Sequence, residues 1–102
     1  MNQAQLMAQV KKMQAEMTKA QDELANTVVT GVAAGGAITV EVTCDQHVKS
    51  VKISKEAVDP DDVETLEDLV VVAVNDALAK ATEESQKRMA SVTGGMRIPG
   101  LM

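Results

Sequence analysis

Cys44 and His47 are the two residues whose types could support covalent chemistry, a thiolate nucleophile beside an imidazole base, and each is the only one of its kind in this 102-residue chain. They fall at a turn expected between two strands. Nothing nearby would orient the imidazole or form an oxyanion hole, so they read as a strand-end thiol and a solvent-facing histidine. Asp59-Pro60-Asp61-Asp62 has the acid density of a cation loop. It places Val63 where an oxygen ligand belongs and has no following glycine, so helix capping accounts for it better. Gly31, Gly35 and Gly36 do not form a phosphate-cradling pattern. The remaining chemistry is electrostatic. Lys12 and Lys19 share one face of an expected helix with Lys11 adjacent, an arrangement that could meet phosphates along a duplex or simply be solvated. Lys87 and Arg88 lie near the end of a second helix. There Asp76–Lys80, Glu83–Lys87 and Glu84–Arg88 are acid-to-base pairs four apart, which stabilise a helix surface. With no Phe, Tyr or Trp, recognition of single strands by base stacking is excluded.

Positioning these groups falls to two helices and three strands. Leu6, Val10, Met13, Met17, Ala20 and Leu24 alternate four and three apart, which predicts an amphipathic helix over 3–25. The methionine stripe reads as core or dimer seam rather than a sulfur ligand set. Asn26 ends the helix, and Thr27–Val32 favours strand. Ala33-Ala34-Gly35-Gly36 is a turn. Ala37–Thr43 alternates, with Ile38, Val40 and Val42 on one face, as a half-buried antiparallel strand does. Asp45-Gln46-His47 makes the next turn, and Val51 and Ile53 mark a third strand. The stretch Asp59–Ala90 is the central helix, with Asp59 expected as N-cap and Pro60 as first helical residue. Its run Leu69–Val74 is apolar all round and needs cover on two sides, one from the sheet and one from a second copy. Residues 94–102 break helix and carry apolar side chains with no partner among themselves, which predicts a flexible tail or one docked on a neighbour.

Composition is consistent with one domain over 1–93, non-enzymatic, soluble and intracellular, without signal peptide or membrane span. One cysteine fits a reducing compartment. A core limited to Val, Ile, Leu, Met and Ala is small, and merging two half-cores in a homodimer relieves the shortage. The net charge of −5 is unevenly spread. Residues 1–20 hold Lys11, Lys12 and Lys19 against Glu16, and Lys49, Lys52 and Lys55 cluster without an intervening acid. Residues 56–68 are strongly acidic.

The opening Gln- and Met-rich helix through Gln21-Asp22-Glu23-Leu24-Ala25-Asn26, the strands Gly36–Val42 and Val51–Ile53, the stretch Asp59–Leu69 running into Ala73–Ala77, and Gly94-Gly95-Met96 with Pro99-Gly100-Leu101 together form a specific pattern. In it the whole chain resembles the YbaB/EbfC family of bacterial nucleoid-associated proteins. The resemblance implies an α+β fold of order α–β–β–β–α, a tight homodimer with a shared sheet, and long projecting helices. It also implies a protein of the cytoplasm and nucleoid that binds double-stranded DNA with little sequence preference, alters its conformation and contributes to nucleoid organisation, gene regulation and DNA protection. No cofactor, metal, membrane or small-molecule substrate is implied. Contacts in the family are attributed to helical parts at the dimer's extremities, which carries over to Lys11, Lys12, Lys19, Lys87 and Arg88. The turn Cys44-Asp45-Gln46-His47 departs from relatives, which often have glycine there. The alternative function is an acidic homodimeric protein-interaction module with weak or no DNA binding.

Overall fold

Asn2 opens the first helix with a reciprocal cap: the Gln5 amide donates to its side-chain oxygen at 2.8 Å, and its own amide donates to Gln5 Oε1 at 3.3 Å. The computed structural model describes residues 2–93. The expectation for the tail, residues 94–102, lies outside the described residues. Helix α1 runs over Gln3–Ala25. It closes at Asn26, whose side chain donates to the Asp22 carbonyl, while the Thr27 hydroxyl donates to that of Glu23. Strands β1 (Val28–Ala33), β2 (Ile38–Thr43) and β3 (His47–Ile53) follow, and helix α2 (Val63–Thr93) closes the order. The α–β–β–β–α order is the expected one.

The strands form one antiparallel meander in the order β1-β2-β3. Val40 pairs with Gly31 on one side and Val51 on the other, and Ile38 with Ala33 and Ile53, so these residues share a face. Helix α2 covers that face over β1 and β2. Ile38, Val40 and Val42 are fully buried beneath Ala73, Ala77 and Ala81. The alternation read from β2 and the alanine spacing of α2 are therefore both realised.

Two boundaries differ from expectation. Helix α2 starts at Val63 rather than at Pro60. Asp59 makes a turn instead, its side chain accepting from the Asp61 amide at 2.9 Å, and Asp62 is the capping residue, accepting from the Thr65 amide and hydroxyl. Asp59-Pro60 carries the right residue types for a cap; Asp62 carries them too and sits closer to the first apolar contact. Strand β3 begins at His47, earlier than expected, because the register shifts between Glu41 and Val42: Glu41 faces Ser50 while Val42 faces Val48. The leftover Lys49 is a bulge, which hides the two-residue alternation on that strand.

Candidate nucleic-acid interface

Only Ala20 and Leu24 of α1 are buried, both in its last turns. There the Arg88 guanidinium reaches across from α2 and donates to Glu23 through both Nε and Nη2 at 2.8 Å. That hydrogen bond, followed by the arginine's charge, holds the Glu23 carboxyl below the usual range. Farther out, Leu6, Met7 and Val10 are about half exposed. The N-terminal part of α1 therefore stands clear as an arm on a molecule 70 × 26 × 17 Å in extent.

Lys11, Lys12 and Lys19 are all exposed on this arm, and none forms an ion pair with the described residues. Lys87 and Arg88 differ. Lys87 lies 3.4 Å from Glu83 and 3.9 Å from Glu84, and Arg88 is one-third exposed and engaged by Glu23. The structure thus puts Lys87 and Arg88 at the base of the arm, near the last turns of α1, with their charge largely answered. The Glu84–Arg88 pair expected from spacing is corrected: tertiary packing offers Arg88 a carboxylate on the other helix, and Glu84 turns to Lys87.

Asp76–Lys80 forms at 3.0 Å as its spacing suggests, and it also reaches the sheet. Asp76 Oδ2 accepts from the Val32 amide at 3.0 Å, and Lys80 Nζ donates to the Thr30 carbonyl at 3.1 Å. The backbone hydrogen bond from Val32, then that from Lys80, depresses the Asp76 carboxyl. The outer edge of β1 is occupied by these two side chains. Helix spacing alone gave no sign of that second contact, because the strand lies 44 residues away.

Lys49, Lys52 and Lys55 are exposed and likewise form no ion pair with the described residues. Lys52 faces Thr39, on the side of the sheet away from α2. The acids at 59–68 are exposed at the start of α2. Across the 31 residues of that helix, about 45 Å at 1.5 Å per residue, they stand at the end opposite to the α1 arm. The charge segregation of the sequence is a segregation in space.

Cys44 is buried, and that burial raises its thiol away from ionisation. His47 stands in solvent with Nδ1 3.2 Å from Asp45, so the two do not form a dyad. The Asp45 carboxyl is itself lowered, first by the Thr43 hydroxyl and then by His47.

The sequence matches the YbaB/EbfC DNA-binding family over residues 1–96. The chain belongs to that family. A nucleoid-associated protein of Chloroflexus aurantiacus is 53% identical over 97 residues, covering 95% of this chain and 97% of the relative. One from a Roseiflexus species is 48% identical over 100 residues, covering 98% and 99%. Among solved structures, an uncharacterised protein from Helicobacter pylori superposes with a TM-score of 0.77 at 22% identity, over 93% of this chain and 99% of that one, and shares the fold. YbaB/EbfC membership supports a nucleoid-associated, DNA-binding protein rather than an enzyme. No helix among the described residues is long and apolar enough to cross a membrane.

Proposed function

We propose that this YbaB/EbfC protein is a homodimer that binds duplex DNA through the α1 arms, with Lys11, Lys12 and Lys19 as the principal phosphate contacts and Lys87 and Arg88 as secondary ones. The observation that carries the reading is a projecting helix whose three lysines are exposed and form no ion pair with the described residues, set at the end of the molecule away from the acidic block. Phosphate contact needs cations at suitable spacing and no base-edge reader, so little sequence preference follows. Two arms meeting one duplex would bend or bridge it, which is the route to nucleoid organisation, regulation and protection. The protein then works in the cytoplasm on the nucleoid, with residues 1–93 acting as one domain.

The dimer part of the proposal rests on unfinished apolar surface. Val51 and Ile53 are 43% and 41% exposed on the face that α2 covers over the neighbouring strands, and Val71 and Val72 on α2 are exposed as well. With the β1 edge occupied by Asp76 and Lys80, β3 is the edge left for a second copy to cover.

Fluorescence anisotropy on duplexes of varied sequence, across a salt series, tests the whole. The expected result is similar affinity for all sequences and a slope of about −5 in log affinity against log salt, from about six phosphates at −0.9 each. Lys12→Glu with Lys19→Glu should weaken binding at least tenfold, about 1.4 kcal/mol, while the dimer survives. Unchanged affinity removes those lysines from the interface. Absence of binding at low salt overturns the DNA reading and leaves the protein-interaction module.

A further inference from the structure

The part of α1 that stands clear of the body is unfinished on one side. Residues 3–12 are all exposed, and an isolated helical stretch of about ten residues is marginal in water even with a good cap such as that at Asn2. Leu6, Val10, Met13 and Met17 wall an apolar groove of about 640 Å³ along it, with Val92 of α2 at one end. Leu6 is 53% exposed and Val10 45%. We propose that this groove is filled by α1 of another copy laid antiparallel, as a self-contact additional to the β3 edge.

Spacing argues for a second α1 as the occupant. The four residues alternate four and three apart, the repeat of a helix that packs along another helix. Ala20 and Leu24 continue the repeat but are already buried in the body, so the open part of the seam is symmetric about the midpoint between Lys11 and Lys12. An antiparallel copy centred there sets Leu6 against Met17 and Val10 against Met13, each contact occurring twice by two-fold symmetry. No other antiparallel register uses all four open positions. The tip of each arm then enters the end of the other's groove, between Met17 and Val92. Charge fits as well. Gln9 and Glu16 both line the groove, and this register brings each Glu16 opposite Gln9 of the other copy, a carboxylate against an amide donor. Lys11, Lys12 and Lys19 lie roughly 130–150° around the helix from the centre of the seam, so pairing leaves their charges outside. A parallel copy would crowd the two bodies side by side, because α2 flanks α1 from Glu23 out to the groove. Antiparallel arms keep the bodies at opposite ends and oppose the helix dipoles. The register stands independently of DNA binding, while its place as an additional contact rests on the β3 dimer.

Disulfide trapping tests the register. Leu6→Cys and Met17→Cys are made in separate full-length chains, each with Cys44→Ala, and mixed in equal amounts under mild oxidation. The mixed pair should link about tenfold faster than either variant links to itself, because two copies of position 6 would stand about 16 Å apart along the axis, beyond disulfide reach. Self-linking at an equal or greater rate would mean that the arms do not lie antiparallel. Absence of any link would mean that residues 94–102 or a different protein covers the groove; either result overturns the proposal. Sedimentation of concentrated protein with Cys44 intact is the independent check. The parent should pass beyond two chains and Val10→Asp should stop at two. A parent that never exceeds two, or a Val10→Asp chain that assembles like the parent, overturns the proposal. So does Val10→Asp falling to one chain, which would make the arms themselves the dimer interface and would count against the β3 edge rather than against DNA binding.

Discussion

A side chain at Gly31 has nowhere to go: a Cβ there would stand 2.3 Å from the Ala77 amide nitrogen and 2.4 Å from the Ala73 carbonyl oxygen. Both neighbours are helix backbone, so relief would require α2 to lift from β1. Gly31→Ala should therefore cost about 3 kcal/mol, at the upper end for overpacking, read as a lowered urea midpoint with unchanged slope. Little in the sequence marks this position, because a glycine inside a strand-forming run has no signature of what lies across from it. The alanines opposite it were legible from their spacing, and it is their smallness together with Gly31 that sets the helix close to the sheet. Gln46 presents the reverse case. Its φ of 73° is a conformation glycine adopts freely, and its side chain donates to the Thr82 hydroxyl. The charges of Lys87 and Arg88 resemble those of Lys11, Lys12 and Lys19 in the sequence; only the fold separates the answered cations from the open ones.

At the scale of elements, α1 is joined to α2 chiefly through Leu24, Ala20 and the Glu23–Arg88 pair, while β1 is tied to α2 through Asp76. Both carboxyls are held below their ordinary values in the folded chain. A depressed carboxyl stabilises the fold at pH above its unfolded value, about 4, and that contribution is lost as pH falls through the lower folded value. Stability should therefore decline as pH drops below about 4, and Glu23→Gln with Asp76→Asn should flatten the decline while lowering stability at neutral pH. Urea midpoints across a pH series check this, and identical slopes for variant and parent would count against it. The element order, β2 and the buried stripe of α2 were readable because a single period runs through each. The start of β3 was not, since one bulged residue breaks the period of two. The start of α2 was displaced because two aspartates three residues apart are both fit to cap.

For the whole molecule, the radius of gyration of 19.4 Å far exceeds the roughly 13 Å of a compact chain of this length. Among the described residues, the largest fully buried side chains are Ile38, Val40 and Val42. So thin a core agrees with the proposal that folding and pairing of two copies are linked. If they are, each tenfold dilution should lower stability by about 1.4 kcal/mol of dimer, and the melting temperature should fall with it. Val51→Asp should then yield a less stable chain whose melting no longer depends on concentration, and a concentration-independent parent would argue against the dimer. Elongation has one more consequence. Lysines along α1 and acids at the start of α2 make the protomer a long electric dipole. In the field of a polyanion such a body experiences a torque before contact, which swings the arm inward and the acidic end outward. A duplex coated in this way would wear a negative outer sheath, and two coated duplexes would repel each other even though every molecule on them had arrived by attraction.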